Sequence, residues 1–123
     1  MIVYASRTNN VKSVSKKLEA SDILCVDIKS TENVTTPFFI FTYTDKIGEA
    51  PEHVLDFLYL NEEFLKGVIA SGNVNFGASF CLSADKISKE FNVPIIKKLD
   101  LRGSSNDLKD IINSYNKIIL SKG

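Results

Sequence analysis

The chain has 123 residues, 44% of them hydrophobic and 24% charged, and its 15 basic residues balance 15 acidic ones. This composition predicts a single globular domain over residues 1–123, and the balanced charge argues against nucleic acid as a partner. No apolar run reaches the roughly 20 residues of a membrane-spanning helix, so no membrane association is expected. No basic segment precedes the first apolar residues as it would in a secretion signal, so a cytoplasmic location is expected.

Apolar runs alternate with amphipathic runs along the whole chain. Four runs rich in β-branched and aromatic residues predict buried strands, and an alternating fifth run with two lysines predicts an edge strand. The predicted strands span residues 2–5, 23–28, 37–43, 67–71 and 94–101. Helical spacing of apolar residues predicts helices at 10–20, 51–60, 83–91 and 106–120. Residues 61–65 either continue the second helix or form a separate turn.

This alternation of strands and helices predicts a three-layer α/β sandwich with a five-stranded parallel sheet. One connection is unusual, because residues 29–36 are too few and too polar for a helix with its loops. When extended they would span about 26 Å, whereas returning along the sheet past strand one needs roughly 20 Å. The strand order 2-1-3-4-5 therefore stays open, with the helix between strands two and three missing.

In a sheet of this order, ligands bind beyond the carboxyl ends of the strands, where strands one and three diverge. Three predicted loops meet there, at residues 6–11, 42–50 and 71–80. The first is rich in hydroxyl and amide donors and opens a helix, whose unpaired N–H groups and dipole favour an anion. The predicted phosphate-binding residues are Ser6, Thr8, Asn9, Asn10 and Val11, the last through its backbone N–H.

Several other ligand classes require residues that the chain lacks. A receiver domain needs an acidic cluster after strand one, where this chain has Tyr4-Ala5-Ser6. Neither a P-loop ending in Gly-Lys-Ser/Thr nor a G-x-G-x-x-G turn occurs. The single histidine, His53, lies in a predicted helix and forms no zinc pattern with Cys25 and Cys81. A mononucleotide phosphate beside two loops with aromatic residues remains, and FMN fits that combination.

Two segments resemble known families. Residues 6–11 read Ser-Arg-Thr-Asn-Asn-Val and resemble the phosphate loop of flavodoxins, with Asn9 at the usual glycine. Residues 67–77 read Gly-Val-Ile-Ala-Ser-Gly-Asn-Val-Asn-Phe-Gly and are similar to the G-V-x-A-S-G-N-x-N-[FW]-G signature of the NrdI flavoproteins. These are flavodoxin-like partners of class Ib ribonucleotide reductase, and a missing second helix is typical of them. The resemblance extends over essentially the whole chain.

The resemblance implies a flavodoxin-like fold with noncovalently bound FMN, on which the chemistry takes place rather than on catalytic side chains. In that family the reduced flavin reacts with dioxygen and delivers superoxide to the dimanganese site of the small reductase subunit, where a tyrosyl radical is assembled. The implied partners are therefore the class Ib ribonucleotide reductase small subunit, dioxygen and a flavin-reducing electron donor. Such a protein is an accessory of the reductase rather than a stand-alone enzyme.

The resemblance also implies that two loops enclose the flavin ring. One side is expected to comprise Thr42, Tyr43 and Thr44, with Tyr43 as the stacking group and Gly48 in the loop near flavin N5. Backbone amides and asparagine side chains suit the pyrimidine edge of the ring. The residues expected there are Ser71, Gly72, Asn73, Asn75, Phe76 and Gly77. Phe80, Cys81 and Asp85 are further candidates, Arg7 is interpreted as solvent-facing, and Lys46 would favour the anionic reduced flavin if it lies near the ring.

Two other functions remain open at this point. The first is a generic flavodoxin-type electron carrier, which the balanced charge disfavours modestly because such carriers often dock through an acidic face. The second is a binding module that keeps the fold without any cofactor. A colourless protein that takes up no FMN would support this second alternative.

Overall fold

The computed structural model describes residues 1–7, 9–44 and 48–121. Its sheet has five parallel strands in the order β2-β1-β3-β4-β5. The strands are β1 (Ile2–Tyr4), β2 (Cys25–Asp27), β3 (Phe38–Tyr43), β4 (Leu65–Gly72) and β5 (Ile95–Asp100). The helices are α1 (Asn9–Glu19), α2 (Glu52–Asn61), α3 (Leu82–Phe91) and α4 (Ser105–Ile118). The predicted strand order and the edge position of the fifth strand are confirmed.

Two apolar clusters lie on opposite faces of the sheet. Successive residues of β3 point to opposite faces, so Ile40 belongs to the cluster with α2 and α3, whereas Phe39 and Phe41 belong to the cluster with α1 and α4. On the second face, Tyr115 of α4 meets Phe39 edge to face, with ring centres 5.8 Å apart. The sheet is thus the middle layer of the predicted three-layer sandwich.

The crossover between β2 and β3 contains a single 3₁₀ turn, Ile28–Ser30, in place of an α-helix. The side chain of Asn61, at the end of α2, satisfies the backbone of this crossover. Its Nδ2 donates to the carbonyls of Glu32 (3.0 Å) and Phe57 (2.9 Å), and its Oδ1 accepts from the Val34 N–H (2.8 Å). Because Asn61 is only 4% exposed, these bonds lie out of water and fix the crossover against α2.

The segment after α2 had two open interpretations. The structure resolves them, because α2 ends at Asn61 and a separate 3₁₀ turn follows at Glu62–Phe64. Strand β4 then begins at Leu65, two residues before the predicted start. The turn therefore leads directly into the strand that carries the third predicted loop.

Candidate functional site

The carboxyl ends of β1, β3 and β4 meet at one edge of the sheet. Tyr4 pairs with Phe41, and Tyr43 pairs with Ser71 in the parallel register. The Ala5 N–H continues the ladder by donating to the Phe41 carbonyl at 2.8 Å. Since neighbouring strands lie about 4.8 Å apart, the loops that follow these three strands are within reach of one ligand.

The first loop connects β1 to α1. Ser6 is partly buried, and Asn9 and Asn10 are the first two residues of the helix. Val11 is only 2% exposed and its side chain packs in the core, so any contact of this residue with a ligand would come from its backbone N–H. Thr8 lies outside the described residues. The first turn of α1 has no acidic residue, so no carboxylate of that turn offsets the positive end of its dipole.

Tyr43 is the last residue of β3 and is partly buried. The guanidinium carbon of Arg7 lies 4.9 Å from the centre of the Tyr43 ring, within cation–π range. The His53 ring lies 6.4 Å away on α2, tilted by 39°. Arg7 is exposed, as interpreted from the sequence, and His53 is exposed as well. Both side chains also contact the Tyr43 ring, which the sequence pattern does not reveal.

The two threonines that flank Tyr43 have different roles. Thr42 is fully buried, and its hydroxyl donates to the Tyr43 carbonyl at 3.0 Å, which fixes the end of the strand. The Thr44 hydroxyl shares a 2.8 Å hydrogen bond with the hydroxyl of Ser83, in the first turn of α3. The threonines thus support the backbone on either side of the aromatic ring. Lys46, in the same loop, lies outside the described residues.

Gly48 is buried at the end of this loop, with φ +78°. An added Cβ would lie 2.5 Å from Cδ2 of Leu82, the first residue of α3. Both the left-handed backbone and the close approach require glycine here. Gly48 therefore packs closely against the start of α3.

The third loop begins at Ser71 and Gly72, the last two residues of β4. The Ser71 hydroxyl donates to the Leu101 carbonyl at 2.6 Å, and the Leu101 N–H donates to the Gly72 carbonyl at 2.7 Å. A Cβ on Gly72 would lie 3.0 Å from Cys81 Sγ and 3.1 Å from its backbone nitrogen. These contacts hold the start of the loop against the end of β5.

Asn73 opens a 3₁₀ segment, Val74–Ser79, and its side-chain oxygen accepts from the Asn75 N–H at 2.9 Å. Gly77 interrupts the segment with φ 58°. The segment leaves apolar side chains in solvent, since Val74 is 54% exposed and Phe76 is 69% exposed. An exposed aromatic residue in a loop of amide donors suits a flat ligand with a polar rim.

The family described as NrdI flavodoxin-like matches residues 2–113 of the chain. The chain belongs to this family. Known structures with the same fold include a short-chain flavodoxin associated with a bacterial microcompartment, at 20% identity and TM-score 0.66, covering 97% of this chain and 94% of that one. Another is a Fusobacterium nucleatum flavodoxin bound to flavin mononucleotide, at 20% identity and TM-score 0.63, covering 94% of this chain and 95% of that one. A third is oxidised flavodoxin 2 from Bacillus cereus, at 19% identity and TM-score 0.54, with an alignment that covers 92% of this chain and 92% of that one.

Cys81 lies directly behind the third loop of this NrdI flavodoxin-like chain. It is fully buried, has φ 50°, and its Sγ lies 3.5 Å from the Ala70 carbonyl and 3.6 Å from the Leu99 carbonyl. Burial raises the pKa of its thiol to about 11, and burial raises the pKa of the Cys25 thiol to about 12. Both groups are protonated near neutral pH and behave as packing residues.

The remaining candidates lie around α3 and β5. Phe80 is partly buried against the cluster formed with α2 and α3. Asp85 accepts a 2.6 Å hydrogen bond from the Lys98 ammonium on β5. Both therefore have structural partners close to the third loop.

Arg102 is a site residue that sequence reasoning does not single out. It follows β5, and its Nε donates to Oδ1 of Asn10 in the first turn of α1 at 3.3 Å. The signal in the sequence is an arginine after the fifth strand, at the same edge as the phosphate loop. That α1 and α4 are neighbours on one face becomes visible only in the fold.

Two other properties follow from the described part of the chain. Its helices are all too short or too polar to cross a membrane. Its histidine, cysteine and carboxylate side chains form no group of three that could hold a metal ion.

Proposed function

We propose that this protein binds FMN and supplies superoxide to the small subunit of a class Ib ribonucleotide reductase, for assembly of the dimanganese–tyrosyl radical cofactor. Family membership over residues 2–113 supports the proposal. The observation that carries it is the position of residues 67–77, which resemble the family signature. Ser71 pairs with Tyr43 at the carboxyl edge of the sheet, the same edge at which β1 ends and leads into α1.

The residues at this edge fit FMN chemically. A phosphate would meet backbone N–H groups and amides at the start of α1, and an isoalloxazine ring would cover apolar side chains that are otherwise in water. Phe76 and Leu101 are 69% and 44% exposed, and both lie next to asparagine or backbone donors of the third loop.

The proposed assignment gives each loop a part of the cofactor. Ser6, Thr8, Asn9, Asn10 and the N–H of Val11 hold the phosphate. Tyr43 and Phe76 contact the ring, the third loop with Asn73 and Asn75 binds the pyrimidine edge, and Gly48 lies in the segment facing N5. The full set also includes Thr42, Thr44, Ser71, Gly72 and Gly77, which shape the two walls.

Bound FMN, when reduced by an electron donor, supplies the electron that converts dioxygen to superoxide. The chain's own contribution is to hold the ring at the sheet edge and to restrict the access of water to it. Burial keeps the thiols of Cys25 and Cys81 protonated near neutral pH, as is typical of packing residues.

The test combines the reduced protein with air and the manganese-loaded small subunit, and monitors the tyrosyl radical by electron paramagnetic resonance. We expect radical formation well above that obtained with an equal amount of a reduced flavodoxin. A signal no larger than with the flavodoxin would reject the activating role.

A second function is favoured by the likeness to flavodoxins, which extends over more than nine-tenths of the chain. A protein that binds FMN and passes electrons to acceptors, without generating the radical, would be a generic electron carrier of this fold. An absorption spectrum of the purified protein separates both functions from a cofactor-free binding module, because only the latter is colourless after incubation with FMN and removal of the unbound flavin.

A further inference from the structure

A cationic groove lies beside the proposed phosphate site, between the start of α1 and the loop after β5. It encloses about 200 Å³ and is lined by Asn9, Lys12, Ser13, Lys16 and Arg102. Three of its five lining residues carry a positive charge and the other two are polar. Asn9 belongs to both the groove and the proposed phosphate-binding residues, so the two are contiguous.

The positive charges of the groove are not neutralised within the described residues. No carboxylate there forms an ion pair with Lys12, Lys16 or Arg102. Asp100 and Asp107, which flank Arg102 in sequence, bind the backbone N–H groups of Val74 (3.0 Å) and Ser104 (2.8 Å) respectively. The groove therefore keeps its net positive charge.

This arrangement of cations is unfavourable without an anion. Lys12 is the fourth residue of α1, near the positive end of the helix dipole, where a cation is disfavoured. Lys12 and Lys16 are four residues apart on the same helix face, so their charges repel each other. Arg102 adds a third charge and is oriented by its bond to Asn10. A dianion next to the groove would offset both unfavourable interactions and attract the Arg102 guanidinium.

We propose that this groove is the charged part of the phosphate site, and that Lys12 and Arg102 strengthen the binding of the FMN phosphate by direct electrostatic attraction. The inference rests on the proposed function. Hydroxyls, amides and backbone N–H groups suffice for a neutral phosphate site. In this chain a second source of affinity lies outside the loop, on α1 and after β5.

Two flavins that differ only in the phosphate group distinguish this electrostatic attraction from contacts to the ring. FMN carries a phosphate, whereas riboflavin has the same ring and side chain without it. Exposed charges a few ångströms from a phosphate each contribute modestly, so we expect Arg102→Gln and Lys12→Gln each to weaken FMN binding about three- to tenfold. Their riboflavin affinity should stay within about twofold of the unsubstituted protein.

Dissociation constants are measured from flavin fluorescence quenching at two salt concentrations. The control is Lys89→Gln on α3, the same change of charge on the opposite face of the sheet, which should leave both constants unchanged. Arg102→Lys keeps the charge and should retain most of the FMN affinity. The unsubstituted protein should lose FMN affinity with added salt more steeply than Arg102→Gln, because screening acts on the groove.

The outcomes distinguish this inference from the proposed function. If the unsubstituted protein binds neither flavin, the proposed function fails and the inference with it. If it binds FMN, but both glutamine variants bind FMN equally tightly, only the groove proposal is overturned. A parallel loss of riboflavin binding would also overturn it, since that loss would indicate a general effect on the site.

Discussion

At the scale of single residues, Tyr43 is an aromatic side chain at the sheet edge whose ring contacts two neighbouring side chains. Its ring lies between Arg7 and His53, and its carbonyl is held by Thr42. We expect Tyr43→Ala to weaken FMN binding about tenfold through loss of ring stacking, whereas Tyr43→Phe should bind nearly as well. Fluorescence titration of FMN measures both effects.

The matched control for Tyr43→Ala is Tyr59→Ala on α2. Tyr59 is 54% exposed, and the substitution removes the same kind of aromatic ring. This ring packs on Phe91, with ring centres 4.9 Å apart, away from the site loops. FMN affinity should not change in that variant. Equal affinities of the Tyr43→Ala variant and the unsubstituted protein would contradict the stacking role.

The two thiols give a second prediction about single residues. Because burial raises the pKa of Cys81 to about 11 and that of Cys25 to about 12, fewer than about one in a hundred of either is ionised at pH 8. We expect both thiols of the native protein to react with a disulfide dye far more slowly than after unfolding in guanidinium chloride. Raising the pH toward 10 should accelerate the native reaction. If one thiol of the native protein reacted rapidly with the dye at pH 8, the interpretation of both cysteines as unreactive packing residues would be wrong.

At the scale of elements, the crossover without a helix depends on Asn61. Its three hydrogen bonds satisfy backbone groups of residues 32, 34 and 57 in a buried position. We expect Asn61→Ala to lower the free energy of unfolding by about 2–3 kcal/mol, since these groups then lose their partners out of water. Urea denaturation followed by circular dichroism measures the change.

The control for Asn61 is Asn113→Ala, the same substitution at an exposed position of α4. Its effect should stay within about 0.5 kcal/mol, as is usual for surface positions. If both variants lost the same stability, the buried hydrogen bonds of Asn61 would have no special role.

The elements themselves could be predicted from the sequence, because their apolar periodicity reflects two sheet faces that must both be covered. Every predicted strand and helix is confirmed, with ends displaced by one or two residues. The missing helix followed from the length of residues 29–36, but the role of Asn61 did not, because its partners are distant in sequence. Arg102 and the contact of Arg7 with Tyr43 were likewise inaccessible to pattern reasoning, since both depend on the tertiary positions of exposed side chains.

At the scale of the whole molecule, the balanced net charge conceals a separation of charge between the two faces. On one face α1 carries three lysines and one glutamate. On the other, α2 and the turn after it carry Glu52, Asp56, Glu62 and Glu63 without a lysine or arginine. A neutral total therefore says little about docking, because a partner meets one face at a time. The positively charged helix of this pair, α1, begins at the proposed phosphate site.

Binding of FMN should stabilise the whole fold, because the proposed site joins the ends of β1, β3 and β4, which belong to both apolar clusters. A ligand that binds only the native state adds about 2.7 kcal/mol to the free energy of unfolding at a hundredfold excess over its Kd. For a domain of this size that corresponds to a rise of about 10 °C in Tm.

Thermal unfolding at increasing FMN concentration should show a Tm that rises with the logarithm of the FMN concentration above saturation. Riboflavin at the same concentrations should give a smaller rise, since it lacks the phosphate. A Tm that is independent of FMN would mean that the sheet edge does not bind this cofactor.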